Sequence, residues 1–566
     1  MKIAVFDIEA ENWIHLKVLG FYDGENYKLF YDVKSFLKHV LKKKYDGYRI
    51  YAHSGGKYDF LFLLEELVKY KIRLIENGGR IISIYVDGEN YSLSFCDSYA
   101  ILPSSLKDLT ISFDVEHKKK EFKFANNRKL EVNEKLLSYL ENDVLGLYEV
   151  LTKFYSSEFI VNPKLTIASQ ALDTFQNKFL ESDLVPFKSK DELVFRKFFY
   201  SGGRVEAYKG KGENLKVYDI NSLFPYAMTY EMPVGNYEKV RFWNRDKIGF
   251  YKINVKHDTN FYIPPFLMKK SPVLKNNAYV NAKGFFYVSS EWLKFFKEIG
   301  IKFEIEWGWE FKRKEYLFND YVSYFYDIKN KHSDKRDSIY YISKLFLNSL
   351  YGKLAQERVR NSVESILNIN IHKDKFDILN VESLNYGLVL VKRKSKSRFI
   401  LPYLAGYITD IARLHHYKYM FEKQEEIYYC DTDSLITTAD YPVSEKLGDF
   451  KLEGSGFKGV FLGNKTYALR NDKYEYVKFK GFDSENLTFD EMVEALHGKP
   501  VKQEKERMLS FRESLRRKNG IIDSQGQFLK LVSMSKETDF SVFNRKKVQS
   551  DLYYYDTIPY TYTEIK

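Results

Sequence analysis

The chain has 566 residues, 44% hydrophobic and 29% charged, and carries a net charge of +12. No apolar stretch is long enough to cross a bilayer, which excludes a membrane-spanning protein, and Cys96 and Cys430 are too few for a disulfide framework or a zinc site. The length predicts about three or four domains, and the basic balance suits a polyanionic partner.

Side chains alternate faces along a strand, so in the predicted buried strand over 2–10 the carboxylates of Asp7 and Glu9 leave the same face. Paired like charges call for a cation. An acid this early also interrupts any signal-peptide core and predicts a cytoplasmic protein. A third acid, Asp59, follows the glycine turn of His53-Ser54-Gly55-Gly56-Lys57-Tyr58. Tyr139 and Asp143 then stand at i and i+4 in a segment of helical periodicity and share a face. Four carboxylates and a phenol can thus converge. Next come Gly202-Gly203, between Tyr200-Ser201 and Arg204, and Asp219 at the head of Asp-Ile-Asn-Ser-Leu-Phe-Pro. Apolar residues without proline surround Lys344 to Gly352, predicting a helix with Lys344, Asn348 and Tyr351 on one face. Such a face can grip a nucleotide, with Lys344 as a point charge for a triphosphate, Asn348 as an amide for sugar or phosphate, and Tyr351 as a ring against the base pair. Alternating segments at 362–372 and 386–394 predict a β-hairpin before a helix over 401–420. Tyr429-Cys430-Asp431-Thr432-Asp433-Ser434, between apolar flanks, predicts two short strands around a turn with the acids at its tip. Asp219 and the acids of Tyr429–Ser434, delivered by separate elements, are what two Mg²⁺ ions need to clamp an attacking hydroxyl and a leaving pyrophosphate. The chain closes on a basic stretch from 498, with Lys499, Lys502, Lys505, Arg507, Arg512, Arg516, Arg517 and Lys518.

In this order, the segments at Asp219, Lys344 and Tyr429 resemble motifs A, B and C of the family B DNA polymerases. Asp7 with Glu9, Ser54 to Asp59, and Tyr139 with Asp143 resemble the Exo I, II and III motifs of the DnaQ-like 3′–5′ exonucleases. The resemblance implies a multidomain α/β and α+β fold: an RNase H-like exonuclease domain over 1–165, a linker and first part of the palm over 166–230, and fingers over 319–353. The second part of the palm would follow over 399–497 and a thumb over 498–566. It implies two metal ions per active site, Mg²⁺ with Mn²⁺ able to substitute, held by Asp7, Glu9, Asp59 and Asp143 at one site and by Asp219 and Asp433 at the other. Asp431 would support the second pair, and Tyr139 would orient a water. Lys119, three residues before Phe122, matches the catalytic lysine, with Lys118 and Lys120 as rival candidates. Ser54, where the motif has Asn, would hold the single strand together with Tyr58, Ser105 and Leu106. Tyr200, Gly202 and Gly203 resemble the YxGG joint between the two domains, the glycines admitting a phosphodiester and Arg204 adding charge. The backbone of Asn221, Ser222 and Leu223 would meet the triphosphate, with Lys329 as a second contact. Phe224 replaces the usual Tyr and keeps the bulk that excludes a ribose 2′-hydroxyl. Thr409 and Arg413 match the Tx₂G/AR primer–template contact, and Lys465 and Tyr467 the KxY motif at the primer terminus.

Two long intervals, 231–318 and 354–398, look like the TPR1 and TPR2 insertions of the protein-primed subgroup. The implied protein is a monomeric DNA-directed DNA polymerase with proofreading, using primer–template DNA, dNTPs and a terminal protein as primer, with no membrane partner. A conventionally primed small family B polymerase and a catalytically silent nucleic-acid-binding relative are the alternatives.

Overall fold

The β-branched and aromatic run Ile3–Phe6 is buried on both faces and makes β1 (Lys2–Glu11) an interior strand. This computed structural model describes the chain apart from residues 123–129, 270–276, 333, 335–336, 367–377, 385–386, 396, 482–483, 509–530, 538–544, 551–553 and 566. The chain divides into two compact units of non-contiguous segments, one of 1–180, 323–397 and 506–533, the other of 181–322, 398–505 and 534–566.

In the first unit β1 runs antiparallel to β2 (His15–Tyr22), which carries β3 (Tyr27–Phe30) at the edge, and parallel to β4 (Tyr48–Ala52). Beyond β4 the order continues through β7 (Ser92–Asp97), β6 (Arg80–Asp87) and β5 (Lys71–Asn77). The 22-residue helix Glu134–Tyr155, N-capped by Asn133, packs across β1 and β2. Past Asp7 the alternation sets in: Ile8 points into the core while Asp7 and Glu9 lie toward the helix-covered site face.

The expected hairpin at 362–372 and 386–394 takes a different form. Strand Val359–Ser365 pairs antiparallel with both Leu388–Lys394 and β5, and Ile378–Ser383 closes the edge, so the segment extends the exonuclease-like sheet to ten strands. Part of the predicted hairpin, 367–377 and 385–386, falls outside the described residues. The physical reason is burial: Val363, Leu388 and Leu390 alternate inward and join the hydrophobic core beneath β5 and β6, which covers an otherwise open strand edge. Glu364, buried by this docking, is paired with Arg393.

The motif B segment is helical as expected, over Ser338–Leu354, with Asp337 as its N-cap. Ile342, Phe346, Leu347, Leu350 and Leu354 face inward and the helix packs on Ile167–Lys178. Lys344 and Asn348 are exposed on the opposite face.

The second unit is built on a seven-stranded sheet in the order Glu475–Phe479, Thr466–Arg470, Phe450–Gly463, β9 (Lys211–Ile220), Ser434–Thr437, Ile427–Asp431 and β8 (Val205–Ala207). Helix Pro402–Phe421, with Pro in its first turn, packs against the short motif A helix Leu223–Met228. Residues 232–315 form a separate four-stranded antiparallel sheet with helix Ser290–Glu298. Of the basic C-terminal run, Arg512, Arg516, Arg517 and Lys518 lie outside the described residues, and Lys499 is paired with Glu494 at 2.6 Å.

Candidate active sites

The acids of the first unit come from three different elements. Asp7 and Glu9 sit on β1, Asp59 begins the helix that follows the glycine turn, and Asp143 lies in the middle of helix Glu134–Tyr155. Asp59 is 3% and Asp143 2% exposed. Burial and the neighbouring Asp143 push Asp7 up to about 7, and burial with Asp7 pushes Glu9 up to about 8. Asp59 rises well above the carboxylate range for the same reasons. One oxygen each of Asp59 and Asp143 is buried without a hydrogen-bond partner. Mutually repelling carboxylates with unsatisfied oxygens fit a divalent cation, whose charge would relieve both penalties.

Lys119 Nζ donates to Tyr139 Oη at 2.8 Å and forms an ion pair with Asp143. Burial works against its charge, yet Asp143 and Tyr139 outweigh that and raise its pKa. Its two rivals point elsewhere: Lys118 pairs with Asp114 at 2.8 Å and Lys120 is exposed. Asp7, His53, Ser54, Ser105, Leu106, Lys119 and Asp143 line one cavity of about 270 Å³. Ser54 adopts a left-handed conformation (φ 58°) at the turn, and Ser105 caps the following helix by accepting from Asp108 N. Tyr58 packs edge-on against Trp13, an exposed ring the sequence did not single out. His53 was seen only as a neighbour of Ser54, yet it lines the cavity and bonds Ser98 Oγ through Nδ1 at 3.0 Å. Burial pushes its imidazole down to about 4. Among the described residues, three ligand atoms approach within 4.8 Å of one another only at Glu116, His117 and Glu149, which are tied together by their own hydrogen bonds.

In the second unit the two predicted acids belong to neighbouring, paired segments. Ser434 sits in register with Asp219, and Ile220 N donates to Asp433 O at 2.9 Å. The motif C turn is formed by Thr432, whose φ of 63° puts it in the left-handed region and whose N–H donates to Arg204 O at 2.7 Å. Burial and the neighbouring Asp431 raise the Asp433 carboxyl above its ordinary value, as suits a group that holds a cation. Asp431 is buried and is approached by Lys465 Nζ at 3.1 Å and by Lys478 Nζ at 3.7 Å. Lys478 was missed, because the signal that places it opposite Asp431 is the strand pairing of Tyr467 with Lys478. Lys465 N donates to Tyr429 Oη at 2.9 Å, and the Tyr467 ring lies 4.8 Å from that of Tyr429, so the KxY segment braces motif C.

The structure gives four of these segments roles inside the fold. Arg204 adds no surface charge: it is 3% exposed, paired with Glu206 at 2.6 Å and stacked on Tyr279 at 3.8 Å. Gly203 is needed for close packing within the fold, since a Cβ there would stand 2.7 Å from Thr432 Cγ2. Thr409 and Arg413 are 2% and 7% exposed. Arg413 donates to Ser201 O and Gly202 O at 2.7 and 2.8 Å and pairs with Asp410, holding the Tyr200–Gly203 loop. Asn221 has no backbone group left for a triphosphate, because its N–H donates to Asp449 O and its carbonyl accepts from Gly448 N, each at 2.9 Å. Ser222 (φ 49°) starts the motif A helix, Leu223 is buried, and Phe224 is half-buried on that helix. Lys344, Asn348, Tyr351 and Lys329 belong to the first unit, with Lys329 Nζ over the Tyr326 ring at 5.0 Å.

A mixed sheet carrying one set of acids and an antiparallel sheet carrying another give the chain the architecture of a nucleic-acid polymerase with an exonuclease-like domain. Residues 41–135 and 124–386 match the family described as DNA polymerase type B, organellar and viral, and the chain belongs to that family. Among its relatives, a protein named "Probable DNA polymerase" from Neurospora intermedia is 30% identical over 81% of this chain. The DNA-directed DNA polymerase of Enterobacteria phage PRD1 is 29% identical over 83% of each chain. The chain spans 56% of the Neurospora protein and 43% of a similar one from Ascobolus immersus. Its fold is that of phi29 DNA polymerase: the complex with primer–template DNA and incoming nucleotide superposes with a TM-score of 0.72 at 19% identity, covering 95% of this chain and 99% of that one.

Proposed function

We propose that the protein is a DNA-directed DNA polymerase with a 3′–5′ proofreading exonuclease, which replicates a linear viral or plasmid genome by protein priming and strand displacement. The observation that carries this reading is the pairing of β9 with the motif C hairpin, which brings Asp219 and Asp433 side by side with Lys465 at the supporting acid. The substrates are primer–template DNA and dNTPs, as in the complexes of phi29 DNA polymerase. Asp219 and Asp433 would hold two Mg²⁺ ions, which Mn²⁺ can replace, and Asp7, Glu9, Asp59 and Asp143 would hold the second pair. Bound there, the ions lower the cost of an oxygen nucleophile and of the charge on the leaving phosphate.

The protein's own groups do the rest. At the polymerase site Asp433 and Asp219 orient the metal pair, Lys465 and Lys478 steady Asp431, and Phe224 fills the space of a 2′-hydroxyl. Lys344, Asn348 and Tyr351, which share one helix face, would bind the nucleotide, Lys329 would be a further triphosphate contact, and Tyr467 would support the primer end. At the exonuclease site Tyr139, held by Lys119, positions the attacking water over Asp143. Ser54, Tyr58, Ser105 and Leu106 would hold the frayed strand, and Tyr200, Gly202 and Gly203 would contact DNA as a YxGG motif does. The assigned regions are exonuclease 1–165, palm 166–230 and 399–497, TPR1-like 231–318, fingers 319–353, TPR2-like 354–398 and thumb 498–566. No helix among the described residues is long and apolar enough to cross a membrane, and we place the enzyme with its DNA in the host cytoplasm.

The test is primer extension and single-strand degradation by the purified chain with Mg²⁺, with Asp433→Asn and Asp143→Ala as controls. Templated dNTP addition lost only in the first variant, and 3′–5′ degradation lost only in the second, is the expected result. If neither activity is present in the parent, the reading is wrong.

A further inference from the structure

The motif A turn is gripped by a loop from another part of the second unit. Besides the paired backbone bonds of Asn221 to Gly448 and Asp449, Asn221 Nδ2 donates to Ser444 O at 2.7 Å. The loop is closed on itself by Ser444 Oγ, which donates to Asp449 Oδ2 at 2.6 Å. From the far side His415, on helix Pro402–Phe421, donates through Nε2 to Gly448 O at 2.7 Å. The same imidazole lies 4.4 Å from the ring of Tyr226, four residues after Ser222 on the motif A helix. Gly448 has φ +87°, and a Cβ there would stand 2.4 Å from the Tyr226 ring. Loop, motif A helix and His415 therefore form one closed contact in which Gly448 touches both of the others.

We propose that the loop Ser444–Asp449, locked by His415, is a positioning device that sets where the motif A helix holds Phe224, and so determines sugar selectivity and dNTP affinity from behind the site. This rests on the polymerase reading above. Phe224 lies on a helix only six residues long, Leu223–Met228, whose preceding turn is fixed through Asn221 and whose body is fixed through Tyr226. A displacement of either anchor shifts the ring that fills the 2′ position, while the metal acids, held by the pairing of β9 with Ser434–Thr437, stay in place. A static packing role would instead change stability or kcat without changing the preference between sugars.

The experiment measures kcat and KM for one dNTP and its rNTP on a primed template, in the parent, Gly448→Ala, His415→Phe and His415→Gln. Gly448→Ala drives a methyl into Tyr226, and His415→Phe keeps a ring but removes the donor. Each should raise the dNTP KM and shift the rNTP/dNTP ratio of kcat/KM toward ribonucleotides by about fivefold or more, with kcat for dNTP within about twofold of the parent. His415→Gln, which restores a donor toward Gly448 O, should recover most of the discrimination. If Gly448→Ala does not fold, the two His415 variants decide. A parent that adds dNTPs with the same sugar preference as His415→Phe overturns this inference alone, whereas a parent that adds none overturns the polymerase reading and this inference with it.

Discussion

At the scale of single residues, the acids separate into two independent sets. Asp219→Asn or Asp433→Asn should reduce nucleotide addition by at least ~10³-fold, since a lost metal ligand removes several kcal/mol of transition-state stabilisation, and degradation of single strands should persist. Phe224→Val should relax discrimination against rNTPs, read as a ratio of kcat/KM values; an unchanged ratio would remove Phe224 from the gate. The exonuclease acids also predict a pH dependence. In the fold Asp7 and Glu9 are lifted to about 7 and about 8, so between the ordinary carboxylate range and pH 8 the folded state binds protons the unfolded chain has already lost. Stability is therefore full at acid pH and falls as pH rises through these values. Melting in a chelating buffer should show that decline between about pH 5 and 8, Asp7→Asn should flatten it, and Mg²⁺ at the alkaline end should restore the melting temperature. These roles were legible in the sequence because strand alternation and the i, i+4 rule place Asp7 with Glu9 and Tyr139 with Asp143. The burial of Thr409 and Arg413 was not legible, because a motif string carries no information on burial.

Among the elements, strands Val359–Ser365, Ile378–Ser383 and Leu388–Lys394 belong to the sheet of the first unit. Deleting 359–394 would uncover the edge of β5 and strip Val363, Leu388 and Leu390 from the core, so the first unit should lose stability and aggregate through its open strand. Leu390→Ala, at 4% exposure, should cost about 2–5 kcal/mol, measured by denaturant unfolding together with 3′–5′ degradation of a single strand. A deletion variant with full exonuclease activity and an unchanged melting temperature would show that the insertion is merely attached there. The alternation of these strands could be read from the sequence. Their partner could not, because β5 lies about 290 residues upstream and a period of two says which side chains share a face, not which sheet receives them.

For the whole molecule, protein priming is the property to test. A cognate terminal protein, labelled dNTP and Mg²⁺ should yield a nucleotide bonded to a Ser, Thr or Tyr hydroxyl of that protein, since such a hydroxyl can make the same in-line attack as a 3′-hydroxyl. On a primed single-stranded circle the enzyme should make products longer than the template. Oligonucleotide-primed synthesis alone, with the cognate protein present, would favour a conventionally primed enzyme.

By itself the sequence determined the family and the order of the acid-bearing segments along the chain, because the family's motifs require particular side chains at particular spacings and tolerate few substitutes. It also determined the exposed face of the motif B helix, a matter of local periodicity. Tertiary structure alone decided that Arg204 and Arg413 are internal struts, that Lys478 faces Asp431, that Asn221 is held by Gly448 and Asp449, and that 359–394 completes a sheet begun at β1. Each of these depends on burial or on pairing between segments far apart in the chain, and those follow from the packing of the whole unit rather than from any local pattern of residues.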